Sequence, residues 1–373
     1  MPVTEDAVLE ALATVEDPEI HRPLTDLKMV DSVEIDGADV TVTILLTTPG
    51  CPLKNTITND VEDAVMAVEG VESVKVIMGS MDEEQKKALR EYLTGHKERD
   101  IPFSQPDSLT RVIAVTSGKG GVGKSSVTAN LAVGLAAQGL KVGVLDADIY
   151  GFSLPRMLGV EHAPQSIDGM IVPPTGAGGV KVISIGMFVP DGQPVIWRGP
   201  MLHRALQQFL ADVYWGDLDV LLLDMPPGTG DVAISVAQLL PGSEVLIVTT
   251  PQIAAAEVAE RSGSIASQTQ QRVIGVLENM SYMVQPDGTH LDLFGSGGGQ
   301  IVSARLGKHL GYDVPLLGEI PLDIAMREGG DTGVPVALEG DANPSGAAFQ
   351  KISAEMSKKA RGLAGRPLGV SPV

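Results

Sequence analysis

The feature that most constrains how this chain folds is a glycine-rich segment bounded by two regular elements. The segment reads Gly118-Lys119-Gly120-Gly121-Val122-Gly123-Lys124-Ser125. It follows the aliphatic run Val112–Thr116, which predicts a β-strand, and it opens a stretch with the composition of a helix. In this strand–loop–helix context, the spacing of the glycines, Lys124 and Ser125 is the pattern of a phosphate-binding loop.

Each residue type in the loop has a physical reason for its place. Glycines let the backbone curl so that successive N–H groups point towards phosphate oxygens, and the dipole of the following helix also favours an anion. We expect Lys124 to reach the β- and γ-phosphates and the Ser125 hydroxyl to bind Mg²⁺. The simpler alternative is a glycine-rich turn between strand and helix, but the agreement of pattern and context favours the nucleotide site.

From Arg111 onward, short aliphatic runs alternate with glycine-rich turns and helical stretches. The runs are rich in β-branched residues and do not alternate with polar ones, which is typical of strands buried on both faces of a parallel sheet. They are Val112–Thr116, Val142–Leu145, Val180–Ile185, Val220–Leu223, Val245–Thr249 and Val273–Leu277. This order predicts an α/β fold, a P-loop NTPase with a mostly parallel sheet flanked by helices.

The N-terminal part of the chain has a different pattern. Residues 1–95 combine helix-like segments with strands predicted at Met29–Ile35, Val40–Thr48 and Val71–Met78, which indicates a small α+β domain. Residues 96–109 are polar and contain proline, as linkers do. The sequence therefore predicts an α+β domain over 1–95, a linker over 96–109, a P-loop domain over 110–360 and a disordered tail over 361–373.

Charge and cysteine content exclude several classes of protein. With 47 acidic and 27 basic residues, the chain carries a formal net charge of −20, which disfavours binding to nucleic acid. No apolar stretch is long enough to span a membrane, and the acidic N-terminus lacks the form of a signal peptide. The single cysteine, Cys51, permits no internal disulfide. We therefore expect a cytoplasmic protein with neither a membrane nor a nucleic acid as partner.

Three aspartates end two of the predicted strands. Asp146 and Asp148 follow Val142–Leu145, and Asp224 follows Val220–Leu223. Open α/β sheets bind ligands at the carboxyl ends of their strands, and phosphoryl transfer needs groups that organise the metal and the water. We expect Asp224 to act on Mg²⁺ through the groups that coordinate the ion. We expect Asp148 to orient the attacking water and Asp146 to lie near the metal. The alternative is that these aspartates cap the helices that follow.

The loop resembles that of a particular group of ATPases. Residues 119 to 126, which read Lys-Gly-Gly-Val-Gly-Lys-Ser-Ser and end at Ser126, are similar to the deviant phosphate loop of the MinD/ParA ATPases. In that group the early lysine crosses a nucleotide-sandwich dimer to touch the ATP of the partner. The resemblance implies a homodimer that hydrolyses ATP to ADP and phosphate, with Lys119 acting in trans. Without the resemblance, Lys119 is a solvated loop lysine.

Motifs along almost the whole chain resemble the Mrp/NBP35/ApbC iron–sulfur carriers. They are Asp146–Gly151, Trp197–Met201, Asp224–Asp231, Glu278–Tyr282 and Phe294–Gly299. Residues 1–95, with Asp17-Pro18-Glu19 and the segment 47–52 around Cys51, are similar to the MIP18-like domain in front of bacterial members. The resemblance implies that Asn279 hydrogen-bonds adenine and that Gly318–Asp323, including Pro321, forms the loop beside the base. It also implies apo iron–sulfur proteins or assembly factors as partners.

One departure from the family concerns the cargo. The family places a Cys-x-x-Cys pair shortly after the Asn-Met-Ser-Tyr motif, and the pairs of two subunits bridge a [4Fe–4S] cluster. Here Gln285 and Gly288 stand where the thiols belong, and neither replaces a thiolate. The usual cluster site is therefore absent, which leaves only an atypical or partner-completed site. Cys51, at the predicted N-terminus of a helix, is either a transient iron–sulfur contact or a small loop residue.

Two functions are compatible with these observations. The first is an iron–sulfur cluster carrier or assembly factor that binds and hydrolyses ATP with Mg²⁺ as a homodimer. The alternative is an ATP-switched positioning or scaffold module that resembles MinD or ParA and binds no cluster. A tail poor in large apolar residues disfavours the membrane-bound form of the alternative, and the acidic charge disfavours its DNA-bound form.

Overall fold

The structure, a computed structural model, describes residues 3–47, 53–94, 101–149, 151–189, 199–228, 230–252 and 266–358. By compactness the chain divides into two units. The first comprises Met1–Asp100, His162–Pro174 and Asp212–Gly216, and the second comprises Ile101–Glu161, Thr175–Ala211 and Asp217–Val373. Residues 96–100 of the predicted linker and the whole predicted tail, 361–373, lie outside the described residues, as do the last two residues of the predicted P-loop domain, 359–360.

The first unit is built on a three-stranded sheet with helices packed against it. Its N-terminal elements are α1 (Glu5–Leu12), β1 (Val30–Asp36), β2 (Asp39–Leu46), α2 (Lys54–Met66), β3 (Ser73–Ser80) and α3 (Glu83–Thr94). The central strand β2 is antiparallel to β1 and parallel to β3. Alternate residues of β2, from Val40 to Leu46, are buried, so the period of two seen in the sequence is the period of a strand with one face in the core.

The second unit contains a seven-stranded sheet. Its strands are β4 (Arg111–Ser117), β5 (Val142–Asp146), β8 (Lys181–Ser184), β9 (Val220–Asp224), β10 (Glu244–Thr249), β11 (Arg272–Asn279) and β14 (Leu316–Ile320). The described helices after α3 are α4 (Lys124–Ala137), α5 (Leu154–Met157), α6 (Gly199–Ala211), α7 (Asp231–Leu239), α8 (Gly298–Leu310), α9 (Ile324–Thr332) and α10 (Pro344–Ser357). Two separate strand pairs are β6 (Gln165–Ile167) with β7 (Met170–Val172), and β12 (Met283–Val284) with β13 (His290–Leu291). Short 3₁₀ turns lie at Pro102–Ser104, Ala177–Gly179, Ile185–Phe188 and Val336–Ala342.

The seven strands of this sheet run in the order β14-β11-β10-β4-β9-β5-β8, with every pairing parallel. Every residue of β5 and β9 is buried, which is why these strands read as continuous apolar runs. Because the strands point the same way, the segments that follow β4, β5, β9, β10 and β11 gather at one edge of the sheet. None of the helices in the described ranges is both long and apolar enough to cross a membrane.

The predicted fold class is confirmed, and each of the aliphatic runs named above forms a strand of this sheet. The strand that the sequence did not reveal is β14, Leu316–Ile320. It lies at the edge of the sheet, so most of its residues are only half-buried, and it includes Gly318 and Glu319 rather than a continuous apolar run. Our expectation of a loop over Gly318–Asp323 was therefore wrong for Gly318, Glu319 and Ile320, which belong to β14.

A hairpin that lies between α5 and β8 in the sequence belongs to the core of the first unit. Its strands β6 and β7 pair antiparallel, and Ile167, Met170 and Val172 are buried in the same cluster as the apolar residues of α1, β2 and α2. The Gln165 side chain donates a hydrogen bond of 2.7 Å to the buried carboxylate of Glu19. The sequence-based boundaries assign this hairpin to the second domain, whereas by compactness it belongs to the first unit.

Two isoleucines of the first unit give a matched test of this hairpin. Ile167 is 1% exposed and Ile77 on β3 is 42% exposed. We expect Ile167→Ala to lower the free energy of unfolding by about 2–5 kcal/mol, as for other buried isoleucines, and Ile77→Ala to change it by less than about 1 kcal/mol. Urea unfolding followed by circular dichroism measures both. Equal effects of the two substitutions would contradict the packing of the hairpin in this core.

Candidate nucleotide-binding site

The glycine-rich loop occupies the turn between β4 and α4, as its sequence predicts. Gly121 and Gly123 have φ values of +78° and +75°, in the left-handed region that favours glycine. The Val122 side chain between them is buried, and Gly120 lies beside Pro227 in the segment after β9. The backbone N–H of Gly228 donates to the Ser117 carbonyl at 3.0 Å, which joins the segment after β9 to the start of the loop.

The carboxylate of Asp224 organises the start of helix α4. Its Oδ1 lies 2.6 Å from the Lys124 ammonium and accepts a hydrogen bond of 2.8 Å from the Thr128 hydroxyl. Its Oδ2 accepts a hydrogen bond of 2.6 Å from the Ser125 hydroxyl. Lys124 and Asp224 are both buried, so this ion pair is shielded from water. The three loop and strand residues that the sequence pointed to therefore meet in one cluster.

Asp146 lies near this cluster at the end of β5. Its Oδ2 accepts hydrogen bonds from the backbone N–H groups of Ser153 and Leu154 at 3.0 and 3.2 Å, and the Ser184 hydroxyl lies 3.3 Å away. Burial and the nearby Asp224 carboxylate raise the pKa of Asp146 to about 7 against the effect of the backbone donors. Near neutral pH this group therefore takes up or releases a proton, and a divalent cation close by would favour its ionised form.

Asp148 follows Asp146 by two residues and is also largely buried. Its Oδ1 accepts a hydrogen bond of 3.1 Å from the N–H of Gly151, and its own N–H donates to Asp146 Oδ1 at 3.2 Å. The carboxylate is thus held at the carboxyl edge of the sheet by the turn that follows β5. Its role towards water stays a prediction.

Asn279 connects the end of β11 to the phosphate loop. Its side-chain N–H₂ donates a hydrogen bond of 2.8 Å to the Val122 carbonyl, and the residue is 2% exposed. Its Oδ1 is buried and accepts no hydrogen bond from any of the described residues. An orphaned buried acceptor is unfavourable unless a ligand satisfies it. This atom can accept a hydrogen bond from an amino group such as that of adenine.

The remaining predicted site residues have mixed positions. Ser126 lies in the first turn of α4, where its carbonyl accepts a hydrogen bond of 2.9 Å from Asn130. Pro321 follows β14 and is buried, between the backbone hydrogen bonds from Ser281 to Ile320 and from Leu322 to Tyr282. These bonds tie the segment after β14 to the segment after β11. Cys51 lies outside the described residues.

Lys119 makes a contact that the sequence did not predict. Its ammonium donates a hydrogen bond of 2.7 Å to the side-chain oxygen of Gln252, which follows β10. The Ser117 hydroxyl donates to the Lys119 carbonyl at 3.0 Å, which fixes the backbone below the lysine. The Lys119 ammonium is therefore hydrogen-bonded within its own subunit, at an exposed site.

Gln285 and Gly288 lie in the turn between β12 and β13. The Gln285 N–H donates to the Thr289 carbonyl at 2.8 Å, and the Gly288 N–H donates to the Gln285 carbonyl at 2.9 Å. The Asp287 carboxylate accepts hydrogen bonds from the N–H and hydroxyl of Thr289, and these bonds lower its pKa. The positions of the family's thiols are thus part of a closed hydrogen-bonded turn. Across the described ranges, no three His, Cys, Asp or Glu side chains are grouped to hold a metal ion.

Two residues of the site were missed by reading the sequence. Thr128 lies one helical turn after Lys124, and that spacing is the signal that could have placed its hydroxyl on the same side as the lysine. Gln252 contacts Lys119 across 133 positions of sequence. No local pattern marks a contact of that kind.

Comparison with known proteins gives matches over both parts of the chain. A family model described as NUBPL iron-transfer P-loop NTPase matches residues 108–357. A second family model, described as iron-sulfur cluster assembly protein, matches residues 5–76. The two matched ranges cover most of the residues that form the described helices and strands.

Individual proteins are similar over nearly the full length. The iron-sulfur cluster carrier protein of Mycobacterium tuberculosis is 58% identical over 369 residues, with 98% of this chain and 96% of that protein covered. The protein of the same name from Synechocystis is 42% identical over 366 residues, with 96% and 98% covered. Among solved structures, a nucleotide-binding protein in complex with ADP from Archaeoglobus fulgidus is 36% identical with a TM-score of 0.53. It covers 65% of this chain and 95% of its own.

Two glycines of the loop give a matched test of the contact between the loop and Asn279. A Cβ at Gly123 would collide with the Asn279 amide, whereas a Cβ at Gly121 would have no atom of the described residues within 4 Å. Both positions have positive φ, so alanine causes a similar backbone strain of about 1 kcal/mol at each. We expect Gly123→Ala to cost about 1–3 kcal/mol more than Gly121→Ala because Asn279 must move. Thermal unfolding of the two variants measures the difference, and equal midpoints would contradict this contact.

Proposed function

Because this chain belongs to the NUBPL iron-transfer P-loop NTPase family, we propose that it binds and hydrolyses ATP as a nucleotide-sandwich homodimer and carries iron–sulfur clusters. The observation that carries the proposal is the cluster of the buried Lys124 and Asp224 with the half-buried Ser125 at the start of α4. Its position at the carboxyl edge of a parallel sheet is where such folds bind nucleotides.

The phosphate part of the proposal rests on the loop backbone and three side chains. Lys124 is close enough to the loop to exchange its contact with Asp224 for the β- and γ-phosphates of ATP. The Ser125 hydroxyl would bind Mg²⁺, with Asp224 orienting that hydroxyl and Asp146 close to the metal. The metal, when bound, neutralises charge on the phosphates. The first turn of α4 supplies backbone N–H groups and a favourable dipole to the same anion.

The base part of the proposal rests on Asn279. Within the described part of the chain its buried Oδ1 has no donor, and the adenine amino group would supply one. Guanine carries a carbonyl at the equivalent ring position and would leave the acceptor unsatisfied. The side-chain N–H₂ already donates to Val122, which holds the amide in this orientation. Pro321 and the segment after β14 would lie beside the base.

Hydrolysis needs a group that orients water and a group that stabilises the charge on the γ-phosphate. We assign the first role to Asp148, whose carboxylate is fixed by the turn that follows β5. We assign the second role to Lys119 of the opposite subunit together with Lys124. A homodimer is therefore part of the proposed chemistry, because each site is completed by a lysine from the other chain.

The cargo part of the proposal rests on the family and on the relatives named iron-sulfur cluster carrier protein. Apo iron–sulfur proteins and assembly factors are then the partners, and the cytoplasm is the proposed compartment. Gln285 and Gly288 provide no thiolate, so the cluster would have to be held elsewhere. Cys51 is the one thiol of the chain and hence the proposed iron–sulfur contact. Two chains supply two thiolates, which leaves the other ligands to a partner.

A second candidate function follows from the closed turn between β12 and β13. If the chain binds no cluster, the same nucleotide site can serve an ATP-switched scaffold that brings assembly factors together. The observation that favours this function is that Gln285 and Gly288 form a hydrogen-bonded turn instead of a thiol pair. The two candidates differ only in whether iron and sulfide bind.

Replacing Asp148 tests the proposed hydrolysis. We expect Asp148→Ala to retain binding of Mg²⁺ and ATP while turnover falls by roughly 10²-fold or more, as for loss of a water-positioning group. Phosphate release and calorimetric binding are measured on the same preparation. Asp313→Ala, which removes an exposed carboxylate of the second unit, is the control and should keep the wild-type rate. Unchanged turnover in Asp148→Ala would remove Asp148 from the mechanism.

Anaerobic reconstitution tests the proposed cargo. We expect the wild type to take up iron and sulfide and Cys51→Ala to lose most of that uptake, because thiolates are the usual cluster ligands. Iron and sulfide are counted per dimer, and ATP turnover of both proteins is recorded as the control for an intact nucleotide site. If the wild type takes up neither iron nor sulfide while ATP turnover persists, the scaffold function replaces the carrier function.

A further inference from the structure

The contact between Lys119 and Gln252 joins two segments at the carboxyl edge of the sheet. Lys119 lies just after β4, and Gln252 lies just after the adjacent strand β10, with Ser117 paired to Val248 at the ends of the two strands. The lysine ammonium donates to the glutamine oxygen at 2.7 Å. The lysine that the proposed mechanism needs across a dimer is thus bound within its own subunit.

Gln252 is held on a firmly packed support. Thr250 and Pro251, which precede it, are buried, and a Cβ at Gly298 would approach the Thr250 carbonyl to 2.6 Å. The start of α8 therefore packs directly on the backbone before Gln252. The N–H of Gly299 in turn donates to the buried carboxylate of Glu278 at the end of β11. The glutamine oxygen is consequently presented from a fixed backbone rather than from a loose one.

We propose that Gln252 sequesters the Lys119 ammonium in its own subunit and that release of the lysine from Gln252 controls ATP-dependent dimerisation. This proposal rests on the trans role of Lys119 proposed above. A neutral amide oxygen is a weaker acceptor for an ammonium than the charged oxygens of a triphosphate. The lysine therefore stays bound to Gln252 when no ATP of a partner subunit is near, and it binds that ATP when the dimer forms. Gln252 is a positioning residue in this scheme and does not touch the nucleotide.

The contact between Lys119 and Gln252 opposes dimerisation by a predictable amount. A hydrogen bond at an exposed site shifts an equilibrium by about three- to tenfold. Each dimer releases two lysines, so loss of Gln252 should tighten ATP-dependent dimerisation by about ten- to a hundredfold. A glutamate at this position would bind the ammonium as an ion pair and should weaken dimerisation. Binding of Mg²⁺ and ADP to one subunit should change in neither case, because Gln252 is not part of that site.

The test uses the full-length chain with Gln252→Ala and Gln252→Glu, beside Gln207→Ala as a control on the exposed side of α6. Acetylation of Lys119 by an amine-reactive reagent, quantified by mass spectrometry, reports the contact between Lys119 and Gln252 in single subunits. Sedimentation velocity with Mg²⁺ and a non-hydrolysable ATP analogue reports the dimerisation constant. We expect Gln252→Ala to label faster and dimerise more tightly, Gln252→Glu to do the reverse, and the control to match the wild type.

A second comparison assigns the effect to the lysine. When Lys119 is also replaced by alanine, Gln252→Ala should no longer change the dimerisation constant. Unchanged labelling of Lys119, or an effect of Gln252→Ala that persists without Lys119, would overturn the role of Gln252 in sequestering Lys119. If the wild type does not dimerise with the ATP analogue, the proposed homodimer mechanism fails and the release step fails with it. If the wild type dimerises but the Gln252 variants have the same dimerisation constant, only the role of Gln252 is overturned and the homodimer mechanism stands.

Discussion

The proposed nucleotide site depends on one buried carboxylate. Asp224 ends the strand next to β4 and binds Lys124, Ser125 and Thr128, all from the first turns of α4. This places the helix N-terminus and the strand end in a fixed relation, and the curled loop between them follows from that relation. Removing one partner of a buried ion pair generally costs about 3–5 kcal/mol, so the same contact supports the stability of the second unit and the geometry of the proposed phosphate site.

The second link in the site is the amide of Asn279. It reaches from the end of β11 to the Val122 carbonyl and so couples the base side of the proposed pocket to the phosphate loop. Positive φ at Gly121 and Gly123 allows the loop to pass close to this amide. The proposed phosphate and base sites are therefore connected through this amide, whereas the thiol chemistry of a carrier has no counterpart at Gln285 and Gly288.

The sequence predicted the parts of the molecule that local patterns encode. Buried parallel strands appear as apolar runs, the phosphate loop has a fixed spacing, and the family resemblance read from the motifs is confirmed by the matched family models. What it missed depends on tertiary contacts. The edge strand β14 is half-exposed and has no apolar run, and the hairpin of β6 and β7 is buried by residues distant in sequence. The partner of Lys119 and the second hydroxyl on Asp224 are side-chain contacts that emerge only when the strands are assembled.

We propose above all that the loop after β4 binds a nucleoside triphosphate through Lys124. Isothermal titration of Mg²⁺ and ATP into the wild type and into Lys124→Ala tests it most directly, with unfolding curves recorded to establish that the variant is folded. We expect saturable heat with one nucleotide per chain in the wild type and none in the folded variant. No heat with the wild type, or equal binding by both proteins, would contradict it.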